Sequence, residues 1–267
     1  MRRKIITSCF SEFIGTALLI AIGLSIVIFI NGEGSSIKNF IPDVSARRYI
    51  TGFLFGTVGC LITLSPVGKV SGAHINPTVS FAFYLKKRMS FQHMLCFVIS
   101  QSVGAIVGSL PLIFWRKQGS SIEYAATVAG DGNIVAAFIG ETITSFFLVT
   151  LIFFFTGHRL LRRYTPFMIP VLFCIMVGVE GGISGTSTNA ARSLGPAVIA
   201  DEWSNHWIYW TAPFTGAALS VLLFNTKWAK QHFHIVEARL AYFRQTIGGY
   251  YKNTLELFNH HSTKDLL

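Results

Sequence analysis

The sequence predicts an all-α membrane protein with six transmembrane helices and two re-entrant half-helices, arranged as an inverted 3+3 repeat. Three observations predict it. The chain of 267 residues is 51% hydrophobic and only 13% charged, with a mean hydropathy of +0.52. A soluble domain carries about a quarter charged residues, so lipid is the expected solvent for most of this chain. Apolar segments of bilayer length recur along it, with two of half that length between them. The second half of the chain also repeats marker residues of the first.

A bilayer core takes about 20 apolar residues of helix. The first such segment, 8–30, follows the basic "MRRK". A secretory leader would end at a small-residue cleavage site. The apolar run continues to about Ile30 without one, so a retained first helix is expected. The others are 49–67, 91–114, 133–156, 166–183 and 204–224. The runs 76–85 and 189–200 reach only about 15 and 18 Å, near half of the hydrocarbon thickness. Backbone that stops at that depth is tolerated only where it is buried in protein or lines a water-filled cavity.

With six crossings, one set of loops collects Arg2, Arg3 and Lys4, then Lys69, Lys86, Lys87 and Arg88, then Arg159, Arg162 and Arg163, then Lys227 and Lys230. That side is expected to be cytoplasmic, with both termini there. The opposite loops mix basic residues with acids. In a soluble protein the net charge of +10 would suggest nucleic acid. Here its distribution speaks for membrane topology, and no nucleic acid partner is expected. One membrane domain, 1–224, precedes a basic tail, 225–267. In the tail Trp228, Val236, Leu240, Phe243 and Ile247 approximate a helical stripe, which leaves an amphipathic surface helix or a disordered end open. Cys9, Cys60, Cys96 and Cys174 lie in or beside apolar runs without paired spacing. They are read as small hydrophobes, with no disulfide framework and no metal site.

"SEFIGTALL" from Ser11 resembles "GETITSFFL" from Gly140: each sets a glutamate early in a helix, Glu12 or Glu141, with Thr16 or Ser145 four residues on. "SQSVGAIVGSL" from Ser100 resembles "TAPFTGAALSV" from Thr211. The halves are about 8–115 and 137–224. An odd number of spans per half inverts the second copy, and such repeats hold their sites near the midplane, at discontinuous helices.

Between these markers lie "SGAHINPT" and "SGTSTNAARSLGPA". Asn76 reads as an N-cap with Pro77 at the first helical position, and Asn189 as a second cap followed by Ala190. Inversion brings the two helix starts together from opposite faces. Each N-terminus carries about half a positive charge, so their meeting opposes cations and hydronium in a narrow passage. The asparagine amides offer N–H donors. The residues before them, Gly72, Ala73, His74 and Ile75 and then Gly185, Thr186, Ser187 and Thr188, are expected to be extended and to offer carbonyl acceptors. Donors at the centre and acceptors along a wall suit a single file of water or another small neutral hydroxylic solute.

In these residues the chain resembles the aquaporin (major intrinsic protein) family, over about 8–224. "SGAHINPT" and "NAARSLGPA" match that family's paired Asn-Pro-Ala boxes, with two departures. Pro77 is followed by Thr78, and the second box reads Asn189-Ala190-Ala191. Alanine is a strong helix former, so the second half-helix is expected to form with a less rigid start. The resemblance gives Glu12 and Glu141 the role of holding the re-entrant loops. It also implies a selectivity constriction at Arg192, Thr186, Val177 and, counting back from Asn76, Gly56 or its neighbour Phe55. A fixed arginine would repel cations and bind passing oxygen atoms. Gly56 and Val177 would make this ring wide, whereas Ser193, Ala197, Tyr209 and Trp210 resemble the water-selective branch. Water is the expected substrate, with small neutral solutes such as glycerol left open. Glu180 is read either as a vestibule carboxylate near Arg192 or as a group that faces solvent or pairs structurally, the latter preferred. His74 is expected to pack in its loop, and His158 to be solvated. The resemblance implies passive transport without a cofactor, a homotetramer, and a place in the plasma membrane.

Two alternatives stand beside this reading. "GISG", Gly182 to Gly185, together with Trp115-Arg116, echoes intramembrane serine proteases, which need a histidine at depth to activate the serine. The sixth helix offers only His206, at its edge. The second class is a structural membrane protein of the same fold that does not conduct.

Overall fold

The computed structural model describes residues 2–227 and Ala229. The stripe expected at Trp228, Val236, Leu240, Phe243 and Ile247 lies outside the described residues. Six long helices form: α1 (Arg2–Asn31), α2 (Val44–Leu64), α4 (Phe91–Ser109), α5 (Ile134–Gly157), α6 (Thr165–Glu180) and α8 (Ile208–Asn225). Two short ones, α3 (Pro77–Leu85) and α7 (Ala190–Ala200), have 9 and 11 residues and reach about 14 and 17 Å. No strand occurs among the described residues.

Local chemistry explains where the helices start and stop. Asp43 caps α2 by accepting from the Ala46 N–H at 2.6 Å, which begins that helix five residues before the apolar segment at 49. It ends at Leu64 because Ser65 caps a separate short helix, Pro66–Ser71, accepting from the Gly68 N–H. Asn133 caps α5 through the Ala136 N–H at 2.9 Å. Pro166 stands in the first turn of α6, where its missing N–H costs nothing.

Four helical stretches are long and apolar enough to cross a membrane: Ile5–Asn31, Phe91–Ser120, Ile134–Gly157 and Arg162–Glu180. The remaining two long helices, α2 and α8, have 21 and 18 residues. Helix α2 carries Arg47 and Arg48 near its start, and α8 includes Tyr209, Trp210, Pro213 and Asn225, which lowers their mean hydropathy without shortening them.

The helix pairings obey a two-fold pattern. Helix α2 lies along α6; α1 on α4 is matched by α5 on α8; and α4 on α7 is matched by α8 on α3. The same device brings the matched pairs close. A side chain on Gly104 would collide with the Phe13 carbonyl, and one on Gly216 with the Thr142 carbonyl. Phe13 and Thr142 are repeat-related, the two glycines lie within one residue of the register that matches Ser100 to Thr211, and small residues at such crossings let membrane helices approach. Phe10, Ile22, Ile99, Val103, Phe147 and Val171 point outward and are exposed, as lipid-facing residues should be.

One sequence expectation is corrected here. Cys9 and Cys96 are joined as a disulfide between α1 and α4, with their Cα atoms 6.2 Å apart. Their separation of 87 residues hides the pairing from any local spacing rule. Cys60 and Cys174 are free.

Candidate functional site

The two half-helices begin beside each other. Asn76 caps α3 by accepting from the Thr78 N–H at 2.8 Å. Asn189 caps α7 by accepting from the Ala191 and Arg192 N–H groups at 3.1 and 3.2 Å. Ala190 therefore serves at the first helical position without proline. The amide nitrogens then cross over. Asn76 Nδ2 donates to the Thr188 carbonyl at 3.0 Å, and Asn189 Nδ2 donates to the Ile75 carbonyl at 2.9 Å. Capping uses the amide oxygen and cross-bonding uses one of two N–H groups. One donor per asparagine is left over for a solute.

The loops leading to the asparagines are not extended, contrary to the sequence expectation. Gly72, Ala73 and Ile75 have φ of 95°, 51° and 42°, and Gly185, Thr186 and Thr188 have φ of 85°, 48° and 52°. In each loop two left-handed residues are followed by an ordinary one, His74 or Ser187, and then a third left-handed one, a shape that turns successive N–H groups into one concavity able to hold an anion. A carboxylate fills each concavity. Glu12 accepts from the His74 N–H at 3.0 Å and the Ile75 N–H at 2.6 Å. Glu141 accepts from the Ser187 N–H at 2.5 Å and the Thr188 N–H at 2.8 Å. Both carboxylates are fully buried. In a trans peptide the carbonyl opposes the N–H. The carbonyls of Ala73 and His74, and those of Thr186 and Ser187, therefore face away from the glutamates, while those of Ile75 and Thr188 serve the asparagine cross-bonds.

Further side chains complete the scaffold. Gln101 donates to Glu12 at 2.7 Å and to Ser80 at 3.0 Å. In the second half Ser184 donates to Glu141 at 2.6 Å, and the Tyr209 hydroxyl donates to the Ser184 carbonyl at 2.8 Å. Ser193 accepts from Thr127 at 2.7 Å and meets the Ser187 hydroxyl at 2.5 Å. Gln101 could have been noticed as an amide in mid-helix, since polar groups at membrane depth are costly. Thr127 carries no such signal. His74 packs between the Phe83 and Phe97 rings, at 4.6 and 5.3 Å, with Nδ1 3.1 Å from the Ser80 hydroxyl. His158 is not merely solvated: its Nδ1 accepts from the Leu160 and Leu161 N–H groups and shapes the turn before α6.

Arg192 lies in the first turn of α7, buried, and its Nη1 donates to the Ala125 carbonyl at 2.8 Å. Val177 is half-buried on α6. The α2 residue whose Cβ position meets the Val177 side chain is Gly52, at 2.8 Å, whereas that of Gly56 meets Pro170 at 2.7 Å. Phe55 stacks at a tilt on Phe173, with centroids 5.8 Å apart. Gly52 is pressed against the α6 backbone, where a side chain would also meet the Phe173 carbonyl, while Phe55 and Gly56 line a cavity. Glu180 faces neither solvent nor an open vestibule: it is 5% exposed and accepts from the Thr186 hydroxyl. A cavity leads from the asparagine pair, along Gly72 to Ile75 and past Phe55, Gly56 and Phe83, to Thr156, Arg162 and Thr165 at the α5–α6 turn. No group of three metal-ligating side chains converges among the described residues.

Comparison with known proteins agrees with this geometry. The family model described as Major intrinsic protein matches residues 1–224. The chain is 31% identical over 225 residues to Aquaporin-5 of Mus musculus, covering 80% of this chain and 78% of that protein. It is 29% identical over 233 residues to Aquaporin A of Dictyostelium discoideum, covering 85% and 80%. Among solved structures it resembles the aquaglyceroporin from Plasmodium falciparum, with a TM-score of 0.68 at 18% identity, covering 85% of this chain and 98% of that one. At that identity the structural likeness speaks for the fold alone.

Proposed function

The chain belongs to the major intrinsic protein family, and on that premise we propose that it is a passive transmembrane channel for water that excludes protons and ions. The observation that carries the reading is the reciprocal bonding of Asn76 and Asn189. It joins two positive helix ends and leaves one amide donor on each side. A water oxygen accepting from both donors cannot at that moment accept from its neighbours in the file, and this interrupts a proton wire. Carbonyls of Ala73, His74, Thr186 and Ser187 supply acceptors along the wall, and Arg192 with Val177, Thr186 and the α2 face forms the constriction. The fixed charge of Arg192 adds a second cation barrier.

The catalytic alternative has no support in the site. The Ser184 hydroxyl is engaged by Glu141, a carboxylate committed to two backbone N–H groups, so no base is free to activate it. The protein is an integral membrane protein. The charge pattern favours cytoplasmic termini, and family membership favours a plasma membrane location and a homotetramer with one pore per subunit.

Gly56, which lines the cavity, and Val177 carry little bulk, and on that ground a three-carbon polyol is a second candidate solute. Stopped-flow shrinkage of proteoliposomes in sucrose and then in glycerol tests the reading. Accelerated shrinkage in sucrose over empty liposomes is expected. Re-swelling in glycerol faster than in empty liposomes extends the substrates to polyols. Shrinkage no faster than in empty liposomes, with folded protein present, overturns the reading in favour of a non-conducting structural protein.

A further inference from the structure

We infer that Glu180 is a specificity-determining positioning residue, a buried carboxyl behind the constriction that draws the Thr186 hydroxyl away from the passage. The inference rests on the channel reading.

Glu180 is the last residue of α6, and the Thr186 hydroxyl donates to its Oε2. Its Oε1 is buried without a hydrogen-bond partner and lies over Gly140 of α5, where any side chain would collide with it. Glycine at 140 therefore creates the seat for the carboxyl. The other half of the repeat is built differently. In the register that matches Glu12 to Glu141, Gly140 corresponds to Ser11. In the register that matches Asn76 to Asn189, Glu180 corresponds to Val67. There the Ser11 hydroxyl donates to the Val67 carbonyl at 2.5 Å. The extra carboxyl thus belongs only to the half that carries Arg192.

Thr186 is held on two sides. The N–H after it, that of Ser187, is bound by Glu141, and its side chain is bound by Glu180. Its φ of 48° is a conformation that a β-branched residue keeps only when its surroundings impose it. With the hydroxyl taken up, Thr186 offers the passage its carbonyl and no side-chain donor. Released, the hydroxyl becomes both a donor and an acceptor beside Arg192, a better partner for a polyol than for a single water. Hydrogen-bonding groups discriminate between solutes more strongly than small changes in apolar shape.

The test is the ratio of glycerol to water permeability in proteoliposomes for the wild type, Glu180→Ala, Glu180→Gln, Gly140→Ala, Thr186→Val, and the pairs of Thr186→Val with Glu180→Ala and with Gly140→Ala. Glu180→Ala should raise the ratio about threefold. Gly140→Ala, which evicts the carboxyl without removing it, should do the same and serves if Glu180→Ala is not recovered folded. Glu180→Gln keeps an acceptor oxygen and should stay near wild type. In the Thr186→Val background neither alanine variant should change the ratio, which is the coupling a double-mutant cycle reads. An equal shift in both backgrounds, or no shift in either, overturns the inference. A wild type that conducts water while the variants behave so leaves the channel reading standing. A wild type no faster than empty liposomes sinks both.

Discussion

Asn76 and Asn189 each donate a side-chain N–H to the carbonyl of the residue that precedes the other. The two half-helices are thereby tied at their N-termini by two reciprocal bonds, and each asparagine also caps its own helix. Asn189→Ala should remove a cap worth about 1 kcal/mol and a cross-bond worth about 1 kcal/mol. The thermal midpoint in detergent and the water permeability should both fall. Asn189→Asp keeps the cap but loses the bond to the Ile75 carbonyl and places a negative charge at the barrier, so the thermal midpoint should fall and cation leak through the folded protein should rise. Ion flux across proteoliposomes reads the difference.

The glutamates should be as sensitive as the asparagines. Glu12 and Glu141 each use both oxygens on adjacent N–H groups. Glutamine at either site sets an amide donor against a backbone donor. An unmet buried group costs about 1–3 kcal/mol, so Glu12→Gln and Glu141→Gln should lower the thermal midpoint and conduction together. A variant that keeps wild-type stability would show that the loops hold their shape without the carboxylates.

Proline at position 190 should be accepted. The first helical position needs no intrahelical N–H bond, and the repeat-related site holds Pro77. Ala190→Pro should retain conduction and raise stability by about 0.5–1 kcal/mol through the unfolded state. Lost conduction would mean that the alanine start is required rather than tolerated.

His206 lies in the turn before α8, outside the membrane-spanning segments. Burial holds its imidazole below the usual value, and its Nε2 is buried without a hydrogen-bond partner. Folding thus favours the neutral ring. Its share of stability is present above the unfolded value of about 6.5 and is lost as pH falls below it. The thermal midpoint should drop between about pH 7.5 and 5.5, and His206→Phe should reduce that drop. Equal drops in both proteins would contradict the assignment.

The half-helices, their asparagine caps and the paired glutamates were legible in the sequence, because each is marked by residue type at a fixed place in a repeat. The shape of the loops was not. Ala73, Ile75, Thr186 and Thr188 take left-handed backbone although none is glycine, since a tertiary carboxylate imposes it. The close α2–α6 contact at Gly52 was not legible, because helix rotation decides which α2 residue is pressed against α6. The Cys9–Cys96 pair and the partner of Glu180 depend on contacts that no local pattern records.

The most direct measurement follows water and protons in the same proteoliposomes, with osmotic shrinkage read by light scattering and internal pH read by a trapped dye under an imposed potential. The account predicts water flux well above that of empty liposomes, with proton flux equal to theirs. Proton flux that rises with water flux, or water flux no greater than through bare lipid, would contradict it.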